Sequence, residues 1–247
     1  MCGRYVMAAD PSDLVALFEV DEMGDLPERS WNVAPTDLAP VVVEPPSRDG
    51  TPPTRRLEAA RWGLVPTWAK DLTGGVKAIN ARSETVAERR MFSASLGMRR
   101  ALVPASGWYE WRKPERTPFY VHAADERPIA FAGLYAWWKS PEGAWVLSST
   151  ILTADATGHL ADLHDRMPVV LGPELWDTWL DAETEGDQHL VDAVVEAAAE
   201  QVEALAVREV GRAVGNVRAD GPELVAPAAE DATDAPAADA SSTDAHR

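Results

Sequence analysis

Apolar residues along this chain follow two rhythms, and the switches between them lay out its elements. DPSDLVALFEV spaces its apolar residues as a helix does, behind Asp10 or Ser12, either of which suits a cap. SWNVAPT keeps neither rhythm and reads as an irregular turn. LAPVVVEP and RRLEAARWGLVP read as strands, with the turn-rich PPSRDGTPP between them as a hairpin connection. ARSETVAERRMF predicts a helix. RALVPASGWYEW, PFYVHAA, PIAFAGLYAWW and AWVLSSTIL are short β-branched and aromatic runs separated by turn signals, as in a largely antiparallel sheet or barrel. ELWDTWL predicts a short helix, and VDAVVEAAAEQVEALA a longer one whose charges form a solvated face. VREVGRAVGNVR ends the folded part. Residues 227–247, poor in large apolar side chains and rich in Ala, Asp, Pro and Ser, are expected to be a disordered acidic tail.

At 247 residues, 46% of them apolar and 10 of them Trp, the chain can build a proper core. It has no run of eighteen or more apolar residues and no basic-then-apolar leader, so neither a membrane span nor a secretory signal is expected. One Cys makes no internal disulfide and no structural zinc site. A cytoplasmic protein is the expectation. The formal net charge of -17 argues against a nucleic-acid partner only until its distribution is considered. Residues 181–206 hold eight acidic side chains and no Lys or Arg, and the tail adds a net -4. Residues 82–116 carry eight basic side chains against four acidic ones. Charges interact mainly within a Debye length, roughly 8 Å at physiological salt, so a phosphate-binding face survives the global acidity.

The single Cys is residue 2, in MCGRYV. Once the initiator Met is removed, its thiol sits beside a free α-amine. Such a 1,2-aminothiol condenses with an aldehyde through nitrogen and closes a five-membered ring through sulfur. CGR at 2–4, NAR at 80–82, WYEW at 108–111 and HDR at 164–166 gather residues of catalytic type in strand-end or turn settings. Several have an ordinary alternative: a small apolar residue at a chain end for Cys2, an outward strand residue for Glu110 and a structural hydrogen bond for His164, as Trp68 elsewhere has core packing.

The combination is more specific. MCGRY, WNVAPT, RWGLVPTWAK, NARSET, ALVPASGWYEW, TADA, HDRMPVVL and VRADGPELV follow one another in that order. This succession resembles the SRAP family of abasic-site processing proteins, also called SOS-response-associated peptidases, from Met1 to about Val225. The resemblance implies a single α+β domain over residues 1–226, on a barrel-like, largely antiparallel sheet with flanking helices. It implies a protein that binds abasic sites in single-stranded DNA and forms a covalent thiazolidine through Cys2, shielding the lesion. The matched chemical positions are Cys2, Asn80, Glu110 and His164. Arg4, Arg82 and Arg166 match DNA contacts, and Trp111 adjoins the site. No cofactor, metal or membrane is implied, and a monomer is expected, associated with the nucleoid when on DNA.

The residues suit that chemistry. A free α-amine has a pKa of about 7.7–8.0, so a useful fraction of it is neutral near pH 7, unlike a Lys amine. The thiol, with an unperturbed pKa near 8.5, needs deprotonation, and Arg4 and His164 are candidates to lower it. Glu110, among aromatic residues, and His164 can move protons. Asn80 can orient the amine or hold a sugar hydroxyl. Arg82 and Arg166 would fork onto phosphates, and Trp68 and Trp111 could stack on bases. Two rivals stay open: an N-terminal-nucleophile cysteine peptidase or hydrolase using the same residues, and a non-enzymatic acidic interaction protein. The aminothiol reading requires that the active protein start at Cys2. Intact-mass measurement should show Met1 absent, and an active sample that retains Met1 would exclude a thiazolidine.

Overall fold

The computed structural model describes residues 2–46, 50 and 52–228. The strands are β1 (Tyr5–Met7), β2 (Glu22–Met23), β3 (Ser30–Val33), β4 (Leu38–Val43), β5 (Arg56–Trp62), β6 (Asn80–Arg82) and β7 (Arg100–Ala105). They continue with β8 (Gly107–Arg112), β9 (Thr117–Ala123), β10 (Ile129–Lys139), β11 (Trp145–Asp155), β12 (Arg166–Pro168), β13 (Val170–Leu171) and β14 (Leu205–Glu209). The helices are α1 (Pro11–Leu17), α2 (Ser93–Met98), α3 (Trp176–Leu180) and α4 (Gln188–Ala198).

Continuous apolar runs become strands buried on both faces. The first eight residues of β10 are all buried. β10 lies between β7 and β11, β7 continues to β4 and β4 to β5, all antiparallel. A parallel pairing of β5 with β11 at Arg61↔Ser148 and Trp62↔Ser149 closes these five strands into a barrel. A second sheet, in the order β14-β9-β8-β1-β3, is antiparallel throughout. The α+β class with a barrel-like sheet is therefore present as expected.

The chain passes from barrel to second sheet through Ser106 alone, between β7 and β8. Ser106 N donates to Val6 O at 2.7 Å and its Oγ accepts from Ala8 N at 3.1 Å, tying the crossing to β1. Gly107 follows with φ +157, and a Cβ there would lie 2.4 Å from Val121 O. A side chain at this position would push β8 off β9. Tyr5, Trp62, Phe131 and Trp108 fill the space between the layers edge to face, with centroids 5.0–6.2 Å apart.

Three local expectations are corrected. SWNVAPT begins as strand β3, because β1 supplies a partner (Tyr5↔Val33) that the segment's own pattern does not announce. ARSETVAERRMF is not a helix. Its start pairs with β11 as β6, and a single 3-10 turn at Ser83–Thr85 and further turns lead to α2. Only Ser83 and Val86 in residues 83–92 are fully buried, too few to hold an amphipathic helix on the core. Asp10 occupies the cap of α1 but bonds through its backbone carbonyl, to Asp13 N and Leu14 N, and not through its side chain. At the far end, Pro227 bridges Val210 and Ala228 N donates to Glu209 O, so paired backbone runs two residues past the boundary at 226. The tail from residue 229 on lies outside the described residues, as does Met1.

Arg100 ties the helices to the barrel. It is 1% exposed, and its guanidinium donates to the carbonyls of Trp179 (2.7 Å), Leu96 (2.9 Å), Gly97 (2.8 Å), Thr184 (3.0 Å) and Asp181. Leu96, Gly97, Trp179 and Asp181 lie at the ends of α2 and α3, where helical bonding leaves carbonyls over, and Thr184 lies in the segment that follows α3. Arg100→Met should lower unfolding free energy by about 3 kcal/mol or more, since stranding buried acceptors costs roughly 1–3 kcal/mol each. Urea denaturation followed by Trp fluorescence checks this, and an unchanged midpoint would refute it.

Candidate functional site

β1 lies between β3 and β8, and Tyr109 N donates to Arg4 O at 3.0 Å. This pairing carries the start of the chain alongside β8 and buries Cys2 completely. The Cys2 Sγ lies 3.9 Å from Arg4 O. The Cys2 carbonyl accepts from Asn80 Nδ2 at 2.7 Å. Asn80 opens β6, held parallel to β11 at Asn80↔Ile151. Among the described residues its Oδ1 is buried without a hydrogen-bond partner.

Glu110 faces the same place from β8, opposite Phe119 and 3% exposed. Burial pushes its pKa up to about 7. Burial, and then the Glu110 charge, push the Cys2 thiol well above its usual range. This corrects the expectation that Arg4 and His164 lower it. The Arg4 guanidinium turns to Asn32 Oδ1 (2.8 Å) and Val214 O (3.1 Å), and burial lowers the His164 pKa from its ordinary value, favouring the neutral ring.

His164 and Glu110 border one open cavity of about 550 Å³, together with Trp111, Lys113, Pro114 and Arg116. His164 Nδ1 accepts from Arg166 N at 2.9 Å. Asp165 Oδ1 at 2.8 Å and Arg166 O at 3.2 Å approach the same nitrogen and call for a proton on it. A backbone N–H can only donate, so a neutral ring that accepts from Arg166 N carries its proton on Nε2.

The structure thus brings Cys2, Asn80, Glu110 and His164 together, with Trp111 at the cavity wall. The basic residues differ. Arg82 is exposed and has no ion pair among the described residues. Arg166 is at the site, but Glu84, Asp155 and Thr153 O hold its guanidinium. Trp68 is 49% exposed, with the Arg90 guanidinium 4.9 Å from its ring centroid, so it is not a core residue. Sequence reasoning missed Lys113 and Arg116, whose only signal was the local excess of basic residues. It also passed over Glu84 and Asp155, although both lie inside quoted motifs. Among the described residues no group of three or more His, Cys, Asp or Glu could hold a metal ion, and no helix is long and apolar enough to cross a membrane.

A barrel with a second sheet of this kind occurs in a solved protein from Bacteroides thetaiotaomicron, with a TM-score of 0.75 at 22% identity, over 92% of this chain and 100% of that one. Residues 1–217 match the model of the SOS response associated peptidase (SRAP) family, and the chain belongs to that family. It is 34% identical to abasic site processing protein YoqW of Bacillus subtilis, over 91% of this chain and 99% of YoqW. It is 33% identical to abasic site processing protein YedK of Escherichia coli, over 92% of this chain and 100% of YedK. With abasic site processing protein HMCES of Pongo abelii it shares 31% identity, over 80% of this chain and 65% of HMCES.

The raised Glu110 pKa has a consequence for stability. Below pH 4.5 the carboxyl is protonated in folded and unfolded chains alike and contributes no difference. Between pH 4.5 and about 7 the unfolded chain releases its proton first, so stability falls as pH rises, by up to about 3 kcal/mol above pH 7. Glu110→Gln should therefore match wild type near pH 4.5 and exceed it increasingly toward pH 8. Urea unfolding across that range checks the sign, and a pH-independent difference would contradict it.

Proposed function

We propose that this protein binds abasic sites in single-stranded DNA and, once Met1 is removed, captures the lesion as a thiazolidine on Cys2. Burial of Cys2 beside Asn80, Glu110 and the His164 cavity carries the reading, and the names of the relatives accord with it. The Cys2 amine attacks the ring-opened aldehyde carbon, and the carbinolamine loses water to give a Schiff base. Sulfur then adds to the imine carbon while the thiol proton passes to nitrogen. One C–N and one C–S bond form and one water leaves.

Glu110 is suited to ferry these protons, because a pKa of about 7 lets it give and take them at neutral pH. The Nε2–H of neutral His164 donates to the sugar oxygen. The buried Asn80 Oδ1 accepts from the Cys2 amine and aims it. Arg82, Lys113 and Arg116 give an acidic protein a local cationic surface for phosphates. Arg4 and Arg166 reach phosphate only beside or in place of their present partners. Trp111 and Trp68 offer faces to unpaired bases. The peptidase reading needs a ready thiolate, and a thiol raised by burial and by Glu110 does not supply one. We take the protein to act as a monomer in the DNA damage response.

Single-stranded DNA with one abasic site, incubated with Met1-processed protein, should give a heat-stable adduct on a denaturing gel. Cys2→Ser should give none, leaving only an imine that borohydride traps. Glu110→Gln and His164→Ala should slow adduct formation or reversal by about 10²–10⁴-fold, with affinity for intact strands kept. Equal adduct from Cys2→Ser would deny sulfur a role, and parallel loss of binding would move Glu110 and His164 to DNA contact or folding.

A further inference from the structure

We infer that Glu84 and Asp155 are positioning residues for His164, acting through Arg166 to select the tautomer that faces the lesion. The importance of that tautomer rests on the function proposed above.

Both terminal nitrogens of Arg166 are held, while its Nε is buried without a hydrogen-bond partner among the described residues. Nη1 donates to Glu84 Oε1 and, at 2.6 Å, to Asp155 Oδ1. Nη2 donates to Glu84 Oε2 at 3.0 Å and to Thr153 O at 2.6 Å. The Glu84 contact is bidentate, the geometry that best fixes a guanidinium plane. The side chain is 13% exposed. The backbone is held as well, since Arg166 pairs with Asp155 in the β11–β12 ladder and Ala156 N donates to Asp165 O at 3.0 Å.

One backbone atom carries this rigidity to the chemistry. Arg166 N lies 2.9 Å from His164 Nδ1 and can only donate to it. Asp165 Oδ1, on an 81% exposed side chain 2.8 Å from the same nitrogen, favours the opposite tautomer, as does Arg166 O. Two hydrogen-bonding patterns compete at Nδ1, and the fixed peptide of Arg166 decides between them. Of the charged groups facing the ring, Asp165 would draw a proton to Nδ1, Lys113 opposes a charged ring, and Glu110 shares the cavity. None of these fixes the position of the Arg166 peptide. The β11–β12 ladder holds the Arg166 backbone, and the carboxylates of the NARSET and TADA motifs hold its side chain.

The test uses the full-length processed protein carrying Glu84→Ala, Asp155→Ala or the conservative Glu84→Gln. Imidazole nitrogen NMR without DNA at pH 7.5 reads the tautomer directly, with His164 identified by its absence from His164→Gln. Wild type should show the proton on Nε2. Both Ala variants should shift His164 toward the other tautomer while the remaining imidazoles stay in place. Adduct formation at saturating DNA should slow about tenfold or more, the order of loss when a partner that orients a metal-bound histidine is removed. Glu84→Gln keeps an accepting oxygen on the fork and should fall nearer to wild type. If Glu84→Ala unfolds, seen as collapse of the other imidazole signals, Asp155→Asn is read in its place.

An unchanged tautomer in the folded variants would overturn the inference. Adduct formation as fast as wild type at saturating DNA would overturn it too, by showing that the carboxylates serve only the fold or mask a phosphate site. Failure of wild type to form any adduct would instead strike the crosslinking reading, and the NMR result separates the two.

Discussion

Strand β11 changes partners on both of its edges near Ile151, and the site depends on that exchange. Along its first half β11 lies between β10 and β5, which closes the barrel. Beyond Ser149 the β5 edge is taken over by β6, and beyond Ile151 the β10 edge passes to β12. The far half of β11 is thus flanked by two three-residue strands that would not be stable alone. One begins with Asn80 and the other with Arg166, whose peptide N–H holds His164. The register Arg82↔Thr153↔Pro168 fixes the motifs relative to one another more rigidly than loops would.

The exchange from β5 to β6 sends residues 63–79 on an excursion that leaves and rejoins the same edge of β11. Its ends are stapled by Trp62 Nε1, which donates to Ile79 O at 2.9 Å, by Gly63 N to Ser149 O at 2.8 Å and by Ile151 N to Ile79 O at 3.1 Å. Its middle folds back so closely that a Cβ on Gly63, at φ +128, would lie 2.5 Å from Gly75 O. The same excursion presents Trp68 to solvent, so the staple that completes the barrel also displays an aromatic face.

The strands were legible because β-branched and aromatic runs between turn signals need no distant information. Cys2, Asn80, Glu110 and His164 were singled out by the resemblance of their motifs to the SRAP family, and the fold brings them near one another. What stayed hidden depends on distant partners. β3 exists because β1 pairs with it. Arg4 and Arg166 read as free cations because Asn32, Glu84 and Asp155 meet them only in the fold. The direction of the thiol pKa was not legible at all, since burial is absent from the sequence and outweighs the local charges.

That burial acquires a purpose in the proposed reaction. A low-pKa thiolate beside an amine would be exposed to oxidation and to stray electrophiles. Here the thiol stays protonated within a closed core, and a carboxyl near neutrality stands beside it. The Cys2 amine attacks as the neutral base, and the protonated Schiff base that follows restores a positive charge next to the sulfur. An adjacent cation lowers the pKa of a thiol and of a carboxyl alike, and most strongly where water is scarce. On the proposed chemistry, capture of the lesion restores the charge that releases the sulfur, and Glu110 is placed to take its proton. Ring closure then follows imine formation and does not precede it. A buried cysteine beside an acid, an arrangement that looks inert in the free protein, becomes a nucleophile when its substrate has already been caught.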